Sequence, residues 1–109
     1  MQKLILIFHE SQQGADYLIG WSTRFVPLAE RMPGLRRVTV SHIEGGPGGA
    51  VDVRLIHELY FDDRPALTAA MASPEGVAAG QALVELLGAE PHLVEMFFAE
   101  HQEEDTHGS

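Results

Sequence analysis

A proline–glycine step at Pro33 and Gly34 separates two periodicities that cannot belong to one element. Before it, apolar residues recur every three or four positions through residues 16–29, which predicts an amphipathic helix that Pro27 kinks or ends early. After it, residues 37–43 alternate in polarity, which predicts a strand. Gly34 suits the left-handed conformation in which helices commonly end. The step therefore stops a helix and sets the phase of the strand that follows.

Three further segments have the character of strands, at residues 3–8, 52–61 and 92–99. The first is apolar at nearly every position, which indicates burial on both faces, and the second alternates in polarity. Between the last two, Pro65 follows an acidic pair and Pro74 follows Ser73, so each proline marks the first turn of a helix. Gly88 ends the second of these helices, and Pro91 introduces the last strand.

The resulting order, β-α-β-β-α-β with the second helix in two pieces, predicts an α+β domain of the ferredoxin-like type. Its antiparallel sheet would carry the helices on one face. The other face would stay uncovered, yet strand alternation gives it six large side chains: Ile5, Ile7, Ile56, Tyr60, Leu93 and Phe97. Such a face marks an interface or a ligand groove, and a face-to-face homodimer would bury it. We assign this domain to residues 1–100 and an acidic, flexible tail to residues 101–109.

Composition narrows the possible functions. The formal net charge is −9, from 16 acidic and 7 basic side chains, whereas nucleic-acid binding requires basic patches. The chain has no cysteine, which excludes disulfides, a thiolate nucleophile and cysteine-bound iron–sulfur clusters. No apolar run approaches the roughly 20 residues that span a bilayer, and the N-terminal segment lacks the features of a signal peptide. We therefore expect a cytoplasmic protein that binds neither nucleic acid nor membranes.

Polar side chains share the uncovered face of the predicted sheet. The candidate ligand-binding residues there are Arg37, Thr39, Ser41, Arg54, Glu58, Tyr60 and Phe97, and Glu95 is close to them. Arginine and tyrosine can hold a carbonyl or phenolate oxygen, and a partly buried Glu58 with a raised pKa could serve as a general base. Alternatively, the arginines and carboxylates form ion pairs across the sheet or the dimer interface. Trp21 and Phe25 are most simply core residues of the first helix, but they could also reach the mouth of the cavity.

The histidines do not form a recognisable metal site. His42 and His57 share a strand phase, and His9 or His92 could be a third ligand, but no paired-histidine spacing or accompanying acid is present. The glycine-rich stretch at residues 45–49 lacks the lysine and hydroxyl that follow a phosphate loop, and the sequence has no nucleophile elbow. We therefore expect neither a metal nor a cofactor.

Four segments, in this order, resemble the EthD-like family, which is named for a protein of ethyl tert-butyl ether degradation. They are PL at residues 27–28, MPGLRRV at 32–38, ELYFDD at 58–63 and ASPEG at 72–76. The resemblance covers residues 1 to about 99 and implies a dimeric α+β barrel, in which two sheets enclose a cavity. Many members have a His-x-Pro-Leu motif where this chain has Phe25, so any chemistry of that histidine is absent here. Relatives with this barrel include cofactor-independent monooxygenases and lactone isomerases.

Three functions are compatible with these features. The first is a homodimer that binds a small, mostly apolar organic molecule, as an accessory protein in catabolism. The second is a cofactor-independent monooxygenase or isomerase acting on an aromatic or polyketide-like substrate. In that enzyme Glu58 or a histidine would be the base, and Arg37, Arg54 or Tyr60 would steady the oxyanion. The third is a structural dimer whose barrel is filled by side chains.

Overall fold

The computed structural model describes residues 1–12, 14 and 16–104. Its strands are β1 (Gln2–His9), β2 (Arg37–His42), β3 (Val53–Phe61) and β4 (Val94–Glu100), which form one antiparallel sheet in the order β2-β3-β1-β4. The helices are α1 (Tyr17–Gly20), α2 (Val26–Ala29), α3 (Arg64–Ala72) and α4 (Pro74–Leu87), with a π-helical turn at Trp21–Phe25 and a 3₁₀ turn at Pro91–Leu93. The predicted ferredoxin-like α+β fold is confirmed. In the described ranges, no helix has the length and apolarity needed to cross a membrane.

One face of the sheet packs against the helices. Seven inward side chains of β1 and β3 are at most 4% exposed: Leu4, Leu6, Phe8, Leu55, His57, Leu59 and Phe61. The helix layer contributes Trp21, Phe25, Ala29, Leu67 and Leu83 to the same core. The molecule measures 19 Å along its shortest axis, which matches one sheet and one layer of helices. The opposite face of the sheet therefore carries no helix from the described part of the chain.

Pro27 disturbs the first helix, as predicted. The backbone widens into the π-helical turn, which ends two residues before the proline, and then resumes as α2, which contains Pro27. Proline lacks the N–H that a regular turn needs, and its ring crowds the carbonyl four residues earlier. A π-helical turn is one way in which a helix absorbs such a conflict. Its two ends, Trp21 and Phe25, are both buried against the sheet.

The junction after the first helix has the predicted form. Gly34 adopts a φ of 84°, in the left-handed region that favours glycine. The amide of Arg36 then donates to the carbonyl oxygen of Tyr60 at 2.8 Å, which begins the pairing of β2 with β3. Val38 packs against the core, so its neighbours Arg37 and Thr39 face away from the helices. The predicted phase of β2 is confirmed.

The last strand begins later than predicted. Residues Pro91–Leu93 form a 3₁₀ turn because the fixed φ of Pro91 suits the first position of a helix. Leu93 is 2% exposed and lines a small cavity with Tyr17 and Leu86 on the helix side. The prediction that Leu93 belongs to the uncovered face was therefore wrong.

The chain beyond β4 continues along the sheet at first. The amide of His101 donates to the carbonyl oxygen of Met1 at 2.7 Å. The imidazole of His101 also packs edge-on against the ring of Tyr60, with 4.9 Å between the ring centroids. Residues 105–109, which complete the predicted tail, lie outside the described residues.

Candidate functional site

The sheet face opposite the helices, which we call the open face, brings together seven of the nine predicted ligand-binding residues. They come from β2, β3 and β4, and β1 runs between the last two strands. Three rows cross the sheet: Ser41, Ile56, Ile7 and Glu95; then Thr39, Glu58, Ile5 and Phe97; then Arg37, Tyr60, Lys3 and Ala99. Arg54 precedes the first row on β3. The open face is therefore apolar in the middle and polar towards both ends.

The middle of the open face is a strip formed by Ile5, Ile7, Ile56 and Phe97, which we call the apolar strip. The three isoleucines are half-buried by their neighbours in the sheet. Phe97 is 48% exposed, and the next residue, Phe98, is 47% exposed on the helix side of the same strand. The single chain thus leaves a half-exposed aromatic side chain on each face of β4, and the guanidinium carbon of Arg64 lies 3.9 Å from the centre of the Phe98 ring.

Glu58 is the centre of a hydrogen-bonded group at one end of the strip. Its Oε1 lies 2.7 Å from Nζ of Lys3, and the hydroxyl of Thr39 donates to its Oε2 at 3.1 Å. The hydroxyls of Thr39 and Tyr60 are 3.4 Å apart. The side chains of Lys3 and Glu58 are only 16% and 19% exposed, so this ion pair is largely shielded from water.

This environment does not make Glu58 a general base with a raised pKa. Burial alone would raise the pKa of its carboxyl group, and it is the largest single influence. The hydrogen bonds from Lys3 and Thr39, together with the positive charge of Lys3, outweigh burial and lower the pKa of Glu58 below its ordinary value. The predicted raised pKa was therefore wrong, because both stabilising partners come from other strands.

Tyr60 is covered by charged and aromatic neighbours. The guanidinium carbon of Arg37 lies 4.3 Å from the centre of its ring, within the range of a cation–π interaction. Arg37 also pairs with Glu103 at 3.2 Å, and Nε2 of His101 lies 3.0 Å from the same carboxylate. As a result Tyr60 is only 3% exposed in the single chain.

The other end of the open face carries a second set of charges. His9 contacts two carboxylates, with Nε2 2.5 Å from Glu95 and Nδ1 3.3 Å from Asp52. Arg54 pairs with Glu10 at 2.8 Å and therefore does not join the group around Glu58.

The four charged residues considered from the sequence all have ionic partners, as the ion-pair alternative proposed. Arg37, Arg54, Glu58 and Glu95 do not pair with one another, however. Their partners are Glu103, Glu10, Lys3 and His9, of which the sequence had singled out only His9, and that as a possible metal ligand. Lys3 could have been predicted from the sequence as a site residue. It alternates with Ile5 and Ile7 along β1, so its positive charge lies on the same open face.

Trp21 and Phe25, the remaining two predicted residues, lie on the helix side of the sheet and not with the other seven. Trp21 is 8% exposed and Phe25 is 4% exposed. The indole N–H of Trp21 donates to Nδ1 of His57 at 3.2 Å, and the ring of Phe25 stands edge-on to the same imidazole. Burial lowers the pKa of His57 to about 4. Phe25, which stands where the resemblance predicts a histidine, therefore contacts a histidine supplied by β3.

Among the described residues, no three histidine, aspartate or glutamate side chains are arranged to hold a metal ion. His57 is fully buried on β3, and the residue opposite it on β2 is Val40. His42 lies two residues beyond Val40 and is exposed at the edge of the sheet. His9 is occupied by the two carboxylates described above.

Comparison with known proteins supports the fold and the resemblance. No family model matches the chain. It is 24% identical over 76 residues to an uncharacterized 11.0 kDa protein in the thcB-thcC intergenic region of Rhodococcus erythropolis, a match covering 70% of this chain and 74% of that protein.

Among solved structures, the chain is similar to a dimeric ferredoxin-like protein of unknown function from Jannaschia, with a TM-score of 0.66, 19% identity, and 93% and 100% of the two chains covered. It is also similar to SnoaB, a cofactor-independent oxygenase from Streptomyces nogalater, with a TM-score of 0.63, 16% identity and 94% of each chain covered. At these identities the likeness shows the fold alone.

A stronger likeness links the chain to an ethyl tert-butyl ether degradation (EthD) family protein from Bacillus halodurans. The two structures superpose with a TM-score of 0.84, and the match covers 94% of this chain and 99% of that one. Their sequences are 28% identical. The EthD-like character inferred from the sequence is thereby confirmed.

Proposed function

We propose that this protein is a homodimer that binds a small, mostly apolar organic molecule between its two sheets. The observation that carries the proposal is the apolar strip on the open face, where Phe97 is 48% exposed in the single chain. A sheet normally buries an apolar face against a second layer. The description of a structural neighbour as dimeric supports a second copy of the chain as that layer.

The distribution of charge supports an apolar ligand. Glu58 and Arg37 are already engaged by Lys3 and Glu103, and Tyr60 is covered by its neighbours. We propose that these side chains, with Thr39, Ser41 and Arg54, form the polar wall of the dimer interior. The apolar strip, including Phe97, would form the surface that a ligand contacts. The role we favour is an accessory one in catabolism, because the carboxylate of Glu58 is held by hydrogen bonds rather than poised as a base.

The neutral fluorescent probe N-phenyl-1-naphthylamine tests ligand binding. The wild-type protein should bind it with increased fluorescence, and Phe97→Glu should abolish that binding by placing a charge on the apolar strip. Phe98→Glu is the matched control, because Phe98 has nearly the same exposure on the opposite face of β4. Equal binding by the two variants would refute an open-face ligand site.

The alternative function is a cofactor-independent monooxygenase or isomerase acting on an aromatic or polyketide-like substrate. The fold shared with the Streptomyces nogalater oxygenase favours it, but a fold does not fix a reaction. A panel of such substrates should be compared in the wild type, Glu58→Gln and Arg54→Ala. Turnover that falls in both variants would support the enzyme. Equal turnover in all three proteins would remove Glu58 and Arg54 from its mechanism.

A further inference from the structure

The segment that follows β4 places one of the chain's own carboxylates on the open face. Oε1 of Glu103 lies 3.2 Å from Nη1 of Arg37 and 3.0 Å from Nε2 of His101. A carboxylate can only accept hydrogen bonds, so the guanidinium and the imidazole both donate to it. Arg37 and His101 thus hold one carboxylate oxygen between them, and we call this pair of donors the carboxylate cradle.

The ring of Tyr60 supports both donors of the cradle. The guanidinium carbon of Arg37 lies 4.3 Å from the centre of the ring. The imidazole of His101 stands edge-on to the same ring, with 4.9 Å between the centroids. Neither contact involves Glu103, so the donors have support of their own against the sheet. A site with preorganised donors loses little conformational entropy when it binds an anion.

The ion pair that Glu103 makes is easier to exchange than the ion pair at Glu58. The side chains of Arg37 and Glu103 are 46% and 66% exposed, and an ion pair so open to water contributes little to stability. The pair between Lys3 and Glu58 is largely shielded, so breaking it would leave a charge without its partner. A ligand can therefore displace Glu103 at little cost, whereas Glu58 keeps its partner.

The cradle lies next to the apolar strip. Arg37 and Tyr60 belong to one row of the open face, and Ile5 and Phe97 belong to the next row. Neighbouring rows on one face are two residues apart along each strand, which is about 7 Å. An aromatic ring that rests on Ile5 and a carboxylate in the cradle can therefore belong to one short molecule.

We infer that the cradle binds the carboxylate of a small apolar acid, which takes the place of Glu103. This inference rests on the proposed open-face ligand site and names the class of its ligand. Once Glu103 leaves, the guanidinium of Arg37 needs another anion, and the neighbouring pair of Lys3 and Glu58 carries no net charge that would repel one. The carboxylate of Glu103 occupies the cradle while the ligand is absent.

Two probes of nearly the same shape, 3-phenylpropanoate and 3-phenylpropanamide, test the cradle because only the first is charged. Titrations of the wild type at pH 7 and low salt, followed by ¹⁵N NMR, should show that the carboxylate binds about 3-fold more tightly or better. Arg37→Met should remove this preference. Arg36→Met is the matched control, because Arg36 pairs with Asp62 at 2.8 Å and its loss should leave the preference intact.

Glu103→Gln tests the exchange. The substitution removes the competing charge, so the affinity for 3-phenylpropanoate should rise about 1.5- to 5-fold while the affinity for the amide stays unchanged. Glu104→Gln removes the same charge from the next residue, which is also exposed, and should leave both affinities as they are in the wild type.

Equal binding of the two phenylpropanoyl probes by the wild type would overturn the carboxylate cradle. The same affinities in Glu103→Gln and Glu104→Gln would also overturn it. A wild type that binds N-phenyl-1-naphthylamine but does not prefer the acid would retain the open-face site and lose the cradle. A wild type that binds none of the three probes would lose both.

Discussion

The stability of the protein should fall between pH 7 and pH 5 because of one buried group, His57. Its pKa drops from the ordinary value of 6.5 to about 4 in the folded chain, because burial disfavours the charged imidazole. In the unfolded chain the same ring takes up a proton as the pH falls through 6.5. The unfolded state therefore binds more protons over this interval, and the free energy of unfolding must decrease as the pH is lowered.

The size of this effect follows from the two pKa values. With 6.5 in the unfolded chain and about 4 in the folded chain, His57 alone removes about 2 kcal/mol of stability between pH 7 and pH 5. The loss would approach about 3 kcal/mol by pH 4. An effect of this size is a substantial part of the 5–15 kcal/mol that stabilises a typical domain.

Urea denaturation at pH 7 and pH 5, followed by the fluorescence of Trp21 and by circular dichroism at one protein concentration, measures the effect. His57→Phe should lose about 2 kcal/mol less than the wild type between these pH values, whatever its absolute stability. His42→Phe makes the same chemical change at an exposed position and should follow the wild type. Equal losses in His57→Phe and the wild type would show that protonation of His57 does not cause the fall in stability.

Two further predictions concern the open face and α4. Lys3→Met should lower the free energy of unfolding by about 1–2 kcal/mol at pH 7, because it strands the shielded carboxylate of Glu58. The pKa of Glu58 is lowered in the folded chain, so the stability difference between Lys3→Met and the wild type should be present above about pH 4.5 and shrink in more acidic buffer. Urea titrations at several pH values measure this difference. A difference that does not change with pH would contradict the ion pair between Lys3 and Glu58 as its cause. Gly76→Ala should lower the free energy of unfolding by about 2 kcal/mol or more, because the new methyl would lie 2.7 Å from a backbone oxygen of Met71. Gly80→Ala should raise the free energy of unfolding by about 0.5–1 kcal/mol, because nothing lies within 4 Å of the new methyl. Thermal unfolding compares the two alanines, and equal shifts would show that the close approach at Gly76 does not matter.

The fold was predictable because each element carries a local signal in the sequence. The alternation after Gly34 fixed which side chains of β2 face away from the helices, and the structure agrees. Pro65 and Pro74 correctly marked the first turns of α3 and α4, and Pro27 correctly marked the disturbance of the first helix. Proline gives these signals because it fixes φ and lacks an amide hydrogen. Leu93 was misassigned because the strand was predicted to begin directly after Pro91, at residue 92, where the chain instead forms a 3₁₀ turn.

The site was only partly predictable, because its chemistry depends on contacts between distant segments. Glu58 is 55 residues from Lys3, and the sign of its pKa shift is set by that partner. Trp21 and His57 are 36 residues apart, and their hydrogen bond joins a π-helical turn to a strand. Periodicity gives the face on which a side chain lies but not the partner that it meets.

The oligomeric mass is the sharpest test of the proposed dimer, in which a second copy of the chain buries the open face. Sedimentation equilibrium of the wild type should give twice the mass of the chain. Phe97→Glu should weaken association by about a hundredfold or more, because two half-exposed phenylalanines lose their burial and two charges enter the interface. Phe98→Glu, with nearly the same exposure on the other face, should remain dimeric. A monomeric wild type, or a Phe97→Glu variant that is as dimeric as Phe98→Glu, would rule out a dimer that buries the open face.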